Sequence, residues 1–324
     1  MSPPPAGSPA GGLGELVAAE LAQPVPEGAR RLAERARARH GAAVRAVLFY
    51  GSCLRRRSDA EGVLDLYVLV DRYRPAYRSR WLAWANALLP PNVFSLELAH
   101  EGRTLRAKVA VLSLAHLRRG VSRRAFEPYF WARFAQPCAL VWCEGQAARH
   151  EVEAALAEAI RTFVGRAVAL VPERFTAADL WREGLRATYA CEVRTERGPA
   201  AADSLYAFAP ERYAEATRRA VAELGERLLI REGAPPGTWR AALPAWRRLL
   251  GRAAWALRRP HGKALFLLRI LRNAMTFEGG VEYLAWKIER HSGRRLDPRW
   301  RERRFPLAAL GRELWRQYRR GAFR

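Results

Sequence analysis

Apolar positions along this chain follow one period in the front and another in the back. Residues 43–52 (AVRAVLFYGS) and 63–71 (VLDLYVLVD) are short apolar runs bounded by turn residues, which predicts two buried strands. Residues 92–98 (NVFSLEL) and 105–114 (LRAKVAVLSL) predict two more, joined by a turn around Glu101-Gly102. Residues 28–40 and 78–89 read as helices, the first exposed. After about residue 115 the period lengthens. Val152, Leu156, Ile160, Phe163, Val164, Ala167 and Leu170 recur at helical spacing, and Pro172 stops the run. Thr176, with Asp179 three residues on, marks the start of a helix over 175–194. Residues 211–230 and 263–274 are also predicted helical. The expected fold is α+β: a mixed sheet with packed helices over 13–150, then a helical domain over 151–324. A Pro/Gly-rich lead-in, 1–12, is expected to be disordered.

Composition narrows the class. The 324 residues are 50% hydrophobic and 27% charged, which excludes a disordered or collagen-like chain. The net charge of +24 favours polyanions: nucleic acid, nucleotide phosphates or an anionic membrane surface. Nearly all the cations are arginine. The three lysines, Lys108, Lys263 and Lys287, mark places where the arginine fork does not serve. Four cysteines without a CxxC pair and scattered histidines argue against structural zinc. The start lacks a signal-peptide pattern, and no apolar run approaches the roughly 18 residues of a spanning helix. A cytoplasmic protein without a transmembrane helix is expected.

The chemistry-bearing stretch is Phe49-Tyr50-Gly51-Ser52, a gap of eleven residues, then Leu64-Asp65-Leu66-Tyr67-Val68. A strand ending in Gly-Ser, a loop, then a strand with a carboxylate is the pattern of the nucleotidyltransferase superfamily. Gly51 allows close backbone approach to a triphosphate, and Ser52 offers donors to phosphate oxygens. Asp65, on a rigid strand, suits Mg²⁺, which takes oxygen ligands together with substrate phosphates. The superfamily pattern places a second carboxylate two residues on, where this chain has Tyr67. Asp71, further along the same strand face, and Glu97, on the next strand, are the candidates for that missing ligand.

Four blocks in order resemble the mitochondrial-type phosphatidate cytidylyltransferases, the translocator-maintenance family. They are LFYGSCLRR…VLDLYVLVD (48–71), LRAKVAVLSLAHL (105–117), YFWARFAQPCALVW (129–142) and AVALVPERFTAADLWREGLRATYACEVR (167–194). The third is similar to the family's helix leading to an Arg, a Pro and a strand. The resemblance implies transfer of CMP from CTP to phosphatidate, with Mg²⁺, giving CDP-diacylglycerol and pyrophosphate for phospholipid and cardiolipin synthesis. It implies that Tyr50, Gly51, Ser52 and Lys108 hold CTP, that Asp65 holds the metal, and that Arg133 and Arg194 meet substrate phosphate; Asp71, from the count along the strand, is the expected second metal ligand.

Such an enzyme must reach its lipid. Between Pro235 and Pro260 lie six arginines, no acidic residue, and Trp239, Trp246 and Trp255. Arg247, Arg248 and Arg252 beside these tryptophans fit an interfacial helix on an anionic membrane, with peripheral association at the inner membrane. The segment 294–324 adds eleven arginines with Trp300 and Trp315. Two alternatives stay open. One is a nucleotidyltransferase acting on a small hydroxyl or RNA. The other is a non-catalytic basic protein that binds membrane or nucleic acid on a decayed nucleotidyltransferase fold.

Overall fold

The computed structural model describes residues 11–56, 62–100, 102–193 and 198–276. Arg194, the lead-in through residue 10 and the arginine-rich 294–324 segment lie outside the described residues. The front of the chain runs α1 (Leu13–Leu21), α2 (Glu27–His40), β1 (Val44–Tyr50), α3 (Gly51–Arg56), β2 (Val63–Val70), α4 (Tyr73–Ala76) and α5 (Arg80–Leu88). It continues through β3 (Asn92–His100), β4 (Arg103–Ser113), α6 (Leu114–Val121), α7 (Tyr129–Phe134) and β5 (Ala139–Cys143). The rest comprises α8 (Gln146–Ala167), β6 (Arg174–Thr176), α9 (Ala177–Tyr189), α10 (Gly198–Phe208), α11 (Pro210–Leu228), β7 (Ile230–Glu232), β8 (Thr238–Ala241) and α12 (Ala245–Thr276).

The α+β class holds. The main sheet has the order β3-β4-β2-β1-β5, antiparallel except for the parallel β2–β4 pair. All four strands expected from the apolar runs form, and β5 extends the sheet beyond β1. Strand period two sends alternate side chains to opposite faces. Phe49, Leu64, Leu66, Val68, Val109 and Val111 face one core, which α2 covers with Leu32 and Ala36. Leu48, Tyr67, Leu69 and Leu112 face the other, covered by α7 and α8.

That second core does not stop at the sheet. It runs through Ile160 and Phe163 of α8 to Trp181 of α9, Tyr213 of α11 and Trp255 of α12. The helical back half is therefore built onto the sheet face. Thr176 and Asp179 form the expected capping box: Asp179 N donates to Thr176 Oγ1 (3.2 Å) and Thr176 N to Asp179 Oδ2 (2.8 Å).

Three features depart from the apolar pattern. A helix unannounced by it, α1, buries Leu13, Val17 and Leu21 at spacings of four. A small sheet, β6-β8-β7, interrupts the helical half. Residues 245–276 form one helix through Pro260, whose missing N–H removes a single internal bond.

Helices α8 and α9 meet in a close contact. Phe163 stacks on Trp181 with ring centroids 4.3 Å apart, and a Cβ at Gly184 would lie 2.5 Å from Phe163 Cζ. Both rings are fully buried, so neither can give way. Gly184→Leu is expected to destabilise the fold by about 1–3 kcal/mol or more through overpacking, despite a better helix propensity. Urea unfolding measures it, and unchanged stability would show that the α8–α9 contact is looser than described.

Candidate functional site

The face of the sheet that carries Asp65 is covered for only part of its length. Toward one end, Leu48, Tyr67, Ala110 and Leu112 are sealed under α7 and α8. Toward the other, Val63, Ser95, Glu97, Thr104 and Arg106 are exposed on the same face. Asp65 and Lys108, both half-buried, stand at the boundary.

Ladder register assembles the site. Asp65 pairs with Tyr50 on one side and with Lys108 on the other, and Lys108 in turn with Ser95. Paired residues point to one face at about 4.8 Å between strands. Tyr50, Asp65, Lys108 and Ser95 thus form a row across four strands. β1 ends at Tyr50, and the chain turns at once into α3 through Gly51 and Ser52.

Gly51 has φ +87°, the left-handed region that favours glycine. A Cβ there would overlap the Asp65 carboxylate, lying 3.0 Å from Cγ and closer still to Oδ2. The glycine therefore seats the carboxylate against the turn. This close contact is a local reason for the Gly-Ser motif, apart from any approach of a phosphate.

Behind the row lies an aromatic and cationic layer. Tyr67 is 1% exposed and stacks between Tyr50 and Phe134, each ring pair 4.8 Å apart. Arg133 lies over the Tyr50 ring at 5.8 Å and the Tyr129 ring at 4.8 Å, and pairs with Glu192 at 3.5 Å. Burial, then the Asp65 charge, pushes the Tyr50 phenol above its ordinary range. Burial does the same to Tyr67, with Tyr129 and Tyr50 adding to it. Burial alone would lower the Arg133 pKa; the surrounding Tyr67, Tyr129, Tyr50 and Glu192 raise it instead. The guanidinium stays charged one layer behind Tyr50.

The structure brings Tyr50, Gly51, Ser52, Asp65 and Lys108 together, with Arg133 behind them. It does not bring Asp71 to them. Asp71 follows the far end of β2, six residues or about 20 Å from Asp65, and pairs with Arg72 at 3.6 Å. Glu97 lies two strands from Asp65 and accepts a bond from Arg106 Nε at 2.9 Å. Among the described residues no group of three His, Cys, Asp or Glu side chains gathers as a metal site. Asp65 alone fits Mg²⁺ in its sparest protein form, one carboxylate with the remaining positions left to phosphate oxygens and water.

The expected membrane residues divide. Trp239 is buried on β8 against Phe175. Trp255 is buried against Trp131 at 5.7 Å and donates from Nε1 to Arg166 O at 3.0 Å. Arg248 donates to Val171 O and Arg252 to Ala169 O, which ties α12 to the segment after α8. Trp246 and Arg247 are exposed. Period alone cannot tell which face of a helix is turned inward.

The sequence reading passed over Tyr129, Glu127 and Arg269. Arg269, buried on α12, forms an ion pair with Glu127, lies 4.3 Å over Tyr129 and donates to Pro90 O at 2.7 Å. Only the tertiary fold joins these residues. On the opposite face of the sheet, an open hollow of about 380 Å³ is lined by Arg37, Trp142 and Glu144. It shares no residue with the row. Compared with protein-family models and with curated proteins, the chain matches none.

Two glycine substitutions separate backbone strain from the clash at the site. Gly102 also has positive φ (+72°), but nothing lies within 4 Å of its Cβ position. Gly102→Ala should cost about 1–2 kcal/mol from backbone strain alone. Gly51→Ala should cost about 1–3 kcal/mol more, because Asp65 must move. Equal losses in thermal unfolding would show that Asp65 does not rest on the turn.

Proposed function

We propose that this chain is a nucleotidyltransferase that moves CMP from CTP to the phosphate of phosphatidate, giving CDP-diacylglycerol and pyrophosphate. One observation carries the reading: Asp65 and Lys108 stand side by side at the edge of an uncovered sheet face, with the Gly51 turn seated on the carboxylate. The resemblance of the four sequence blocks supplies CTP and phosphatidate.

The chemistry asks little of the protein beyond position and charge. A phosphatidate oxygen attacks the α-phosphorus of CTP, and the bond to the bridging oxygen breaks to release pyrophosphate. The acceptor is a phosphate monoester with a second pKa near 6, so most of it is already a dianion at neutral pH and needs no general base. Mg²⁺ bound at Asp65 would neutralise charge on the transferred and leaving phosphates. Lys108 places a second cation one strand away, and its flexible stem follows charge as it moves. Tyr50 fills the space between Asp65 and Arg133, so the row stays rigid. Open strand beyond Asp65 and Lys108 leaves room for a nucleotide.

The lipid side rests on α12. Its outward face shows Trp246, Leu249, Leu250 and Leu257, which are 59–69% exposed. No helix among the described residues is long and apolar enough to cross a membrane. A helix lying on an anionic surface, with Arg247 and Arg259 beside the apolar stripe, fits peripheral association. RNA is the weaker acceptor reading, because exposed leucines add nothing to base stacking.

The test is incubation of the full chain with labelled CTP, Mg²⁺ and phosphatidate vesicles, followed by separation of the lipid products. A CDP-lipid is expected from the wild type. Asp65→Asn keeps the shape of the row and should lower turnover by about two to three orders of magnitude, with melting unchanged. Full turnover in Asp65→Asn, or no CDP-lipid from the wild type, rejects the assignment.

A further inference from the structure

Helix α5 presents an apolar face outward that neither core uses. Trp81 and Trp84 are each 54% exposed and Leu88 is 69% exposed, at spacings of three and four. The two indoles stack on each other at 5.0 Å. The helix itself is firmly held. Ala83 and Ala85 are buried, and Asn86, fully buried, donates to Tyr77 Oη (3.0 Å) and Val111 O (3.1 Å). Ser79 accepts from Leu82 N at its start. The tryptophans are thus displayed on a fixed element of the catalytic half.

The buried side of α5 and the turn after it meet α12. Arg272 donates to Asn86 Oδ1 at 3.4 Å and to Pro91 O, and Arg269 donates to Pro90 O. These bonds set the later turns of α12 beside the end of α5. There α12 also turns apolar groups outward: Leu267, Leu268 and Leu271, 45–51% exposed. Leu88 lies within the segment that these arginines grip.

Charge around the patch has one sign. Between Asp71 and Glu97 the chain holds Arg72, Arg74, Arg78 and Arg80 and no acidic residue. All four are exposed. Between Glu232 and Glu278 there is again no acidic residue. Arg252, Arg259 and Lys263 are exposed along α12. Stacked tryptophans and leucines rimmed by arginine match a bilayer interface, where the rings sit at headgroup level and the cations meet anionic lipid. Exposed tryptophan and leucine on a firmly held helix mark an interaction surface.

We propose that Trp81, Trp84 and Leu88 of α5 form a second membrane contact, made to an anionic bilayer by the sheet-bearing half of the molecule, beyond the outward stripe of α12 that runs on through Leu267, Leu268 and Leu271. It extends the lipid-side reading of α12 given above. Contacts on two different elements fix the orientation of a body on a surface, which one helix cannot do. The contact would hold the sheet at a set angle to the membrane that contains its acceptor.

The experiment is co-flotation of the full chain with phosphatidylcholine vesicles containing phosphatidylglycerol, with pure phosphatidylcholine vesicles as control. Trp81→Ser/Trp84→Ser/Leu88→Ser should bind the anionic vesicles about tenfold more weakly or worse, with melting and CTP binding unchanged. Arg78→Ser/Arg80→Ser should weaken binding at low salt and much less at high salt. Flotation of the triple variant at the wild-type level overturns the proposal. A lowered melting temperature with normal flotation would show that the face packs on another part of this chain. A change in molecular mass with normal flotation would show a second copy there. Either result also overturns it. Turnover is not the readout: a wild type that floats through this face but makes no CDP-lipid defeats the transferase assignment and leaves the contact standing.

Discussion

Tyr67 sets where the core ends and the site begins. Its ring is gripped between Tyr50 and Phe134, and α7 and α8 close over it. One pleat earlier on the same strand, Asp65 reaches the open part of the face. An unpaired carboxylate at position 67 would sit in that sealed layer, at a cost of several kcal/mol. The packing that seals the core therefore excludes a second carboxylate at position 67. A metal at this site would rely on Asp65 and on oxygens brought by substrate.

Arginine performs much of the tertiary joining. Arg248, Arg252, Arg258 and Arg269 on α12 donate to the carbonyls of Val171, Ala169, Phe126 and Pro90. Arg166 and Arg212 do the same to Arg123 and Ala135. Each carbonyl belongs to a loop or a helix end, where backbone acceptors lack internal partners. A planar group with five donors can serve such sites while its stem packs on neighbouring rings. The cost shows at Arg258, whose pKa burial, then Arg166, lowers to about 10. Part of the charge of +24 is thus structural. Glu20 shows the balancing case: buried on α1, it accepts from Arg212 Nε and from Cys138 N, joining α1 to α11 and to the start of β5.

How much of this was legible beforehand depends on which interactions decide each element. The first four strands announce themselves because they are buried on at least one face, so period and apolarity agree. β5 is five residues with mixed burial, and only the resemblance pointed to it. β6, β7 and β8, of three or four residues each, are too short to carry a period. Gly51 and Asp65 were legible as a motif, but the contact between them was not, since it depends on β1 and β2 pairing so that Tyr50 meets Asp65. Asp71 shows the opposite error. Counting by twos keeps it on the same face as Asp65, while the strand's length carries it out of reach. Trp239 and Trp255 looked like neighbours of Trp246 because the segment was read as one helix, whereas Trp239 belongs to β8.

Helix α12 inverts the usual pattern of a surface helix. A surface helix normally buries its apolar stripe and shows its charges. Here Trp255, Arg258, Gly262 and Arg269 face inward, while Trp246, Leu249, Leu250, Leu257, Leu267, Leu268 and Leu271 face out. Gly262 admits close approach, since a Cβ there would lie 2.7 Å from Cys191 O. Bonds from arginine to carbonyls, with one buried indole, hold the inner face where leucines would ordinarily do so. Such an arrangement leaves the apolar surface unburied in water, which is unfavourable at roughly 25 cal/mol per Å². A chain carries that cost where the surface has a use. The same helix braces the Glu127–Tyr129 layer behind the row through Arg269, so the element that shows leucine to the outside also positions the cover over Tyr67.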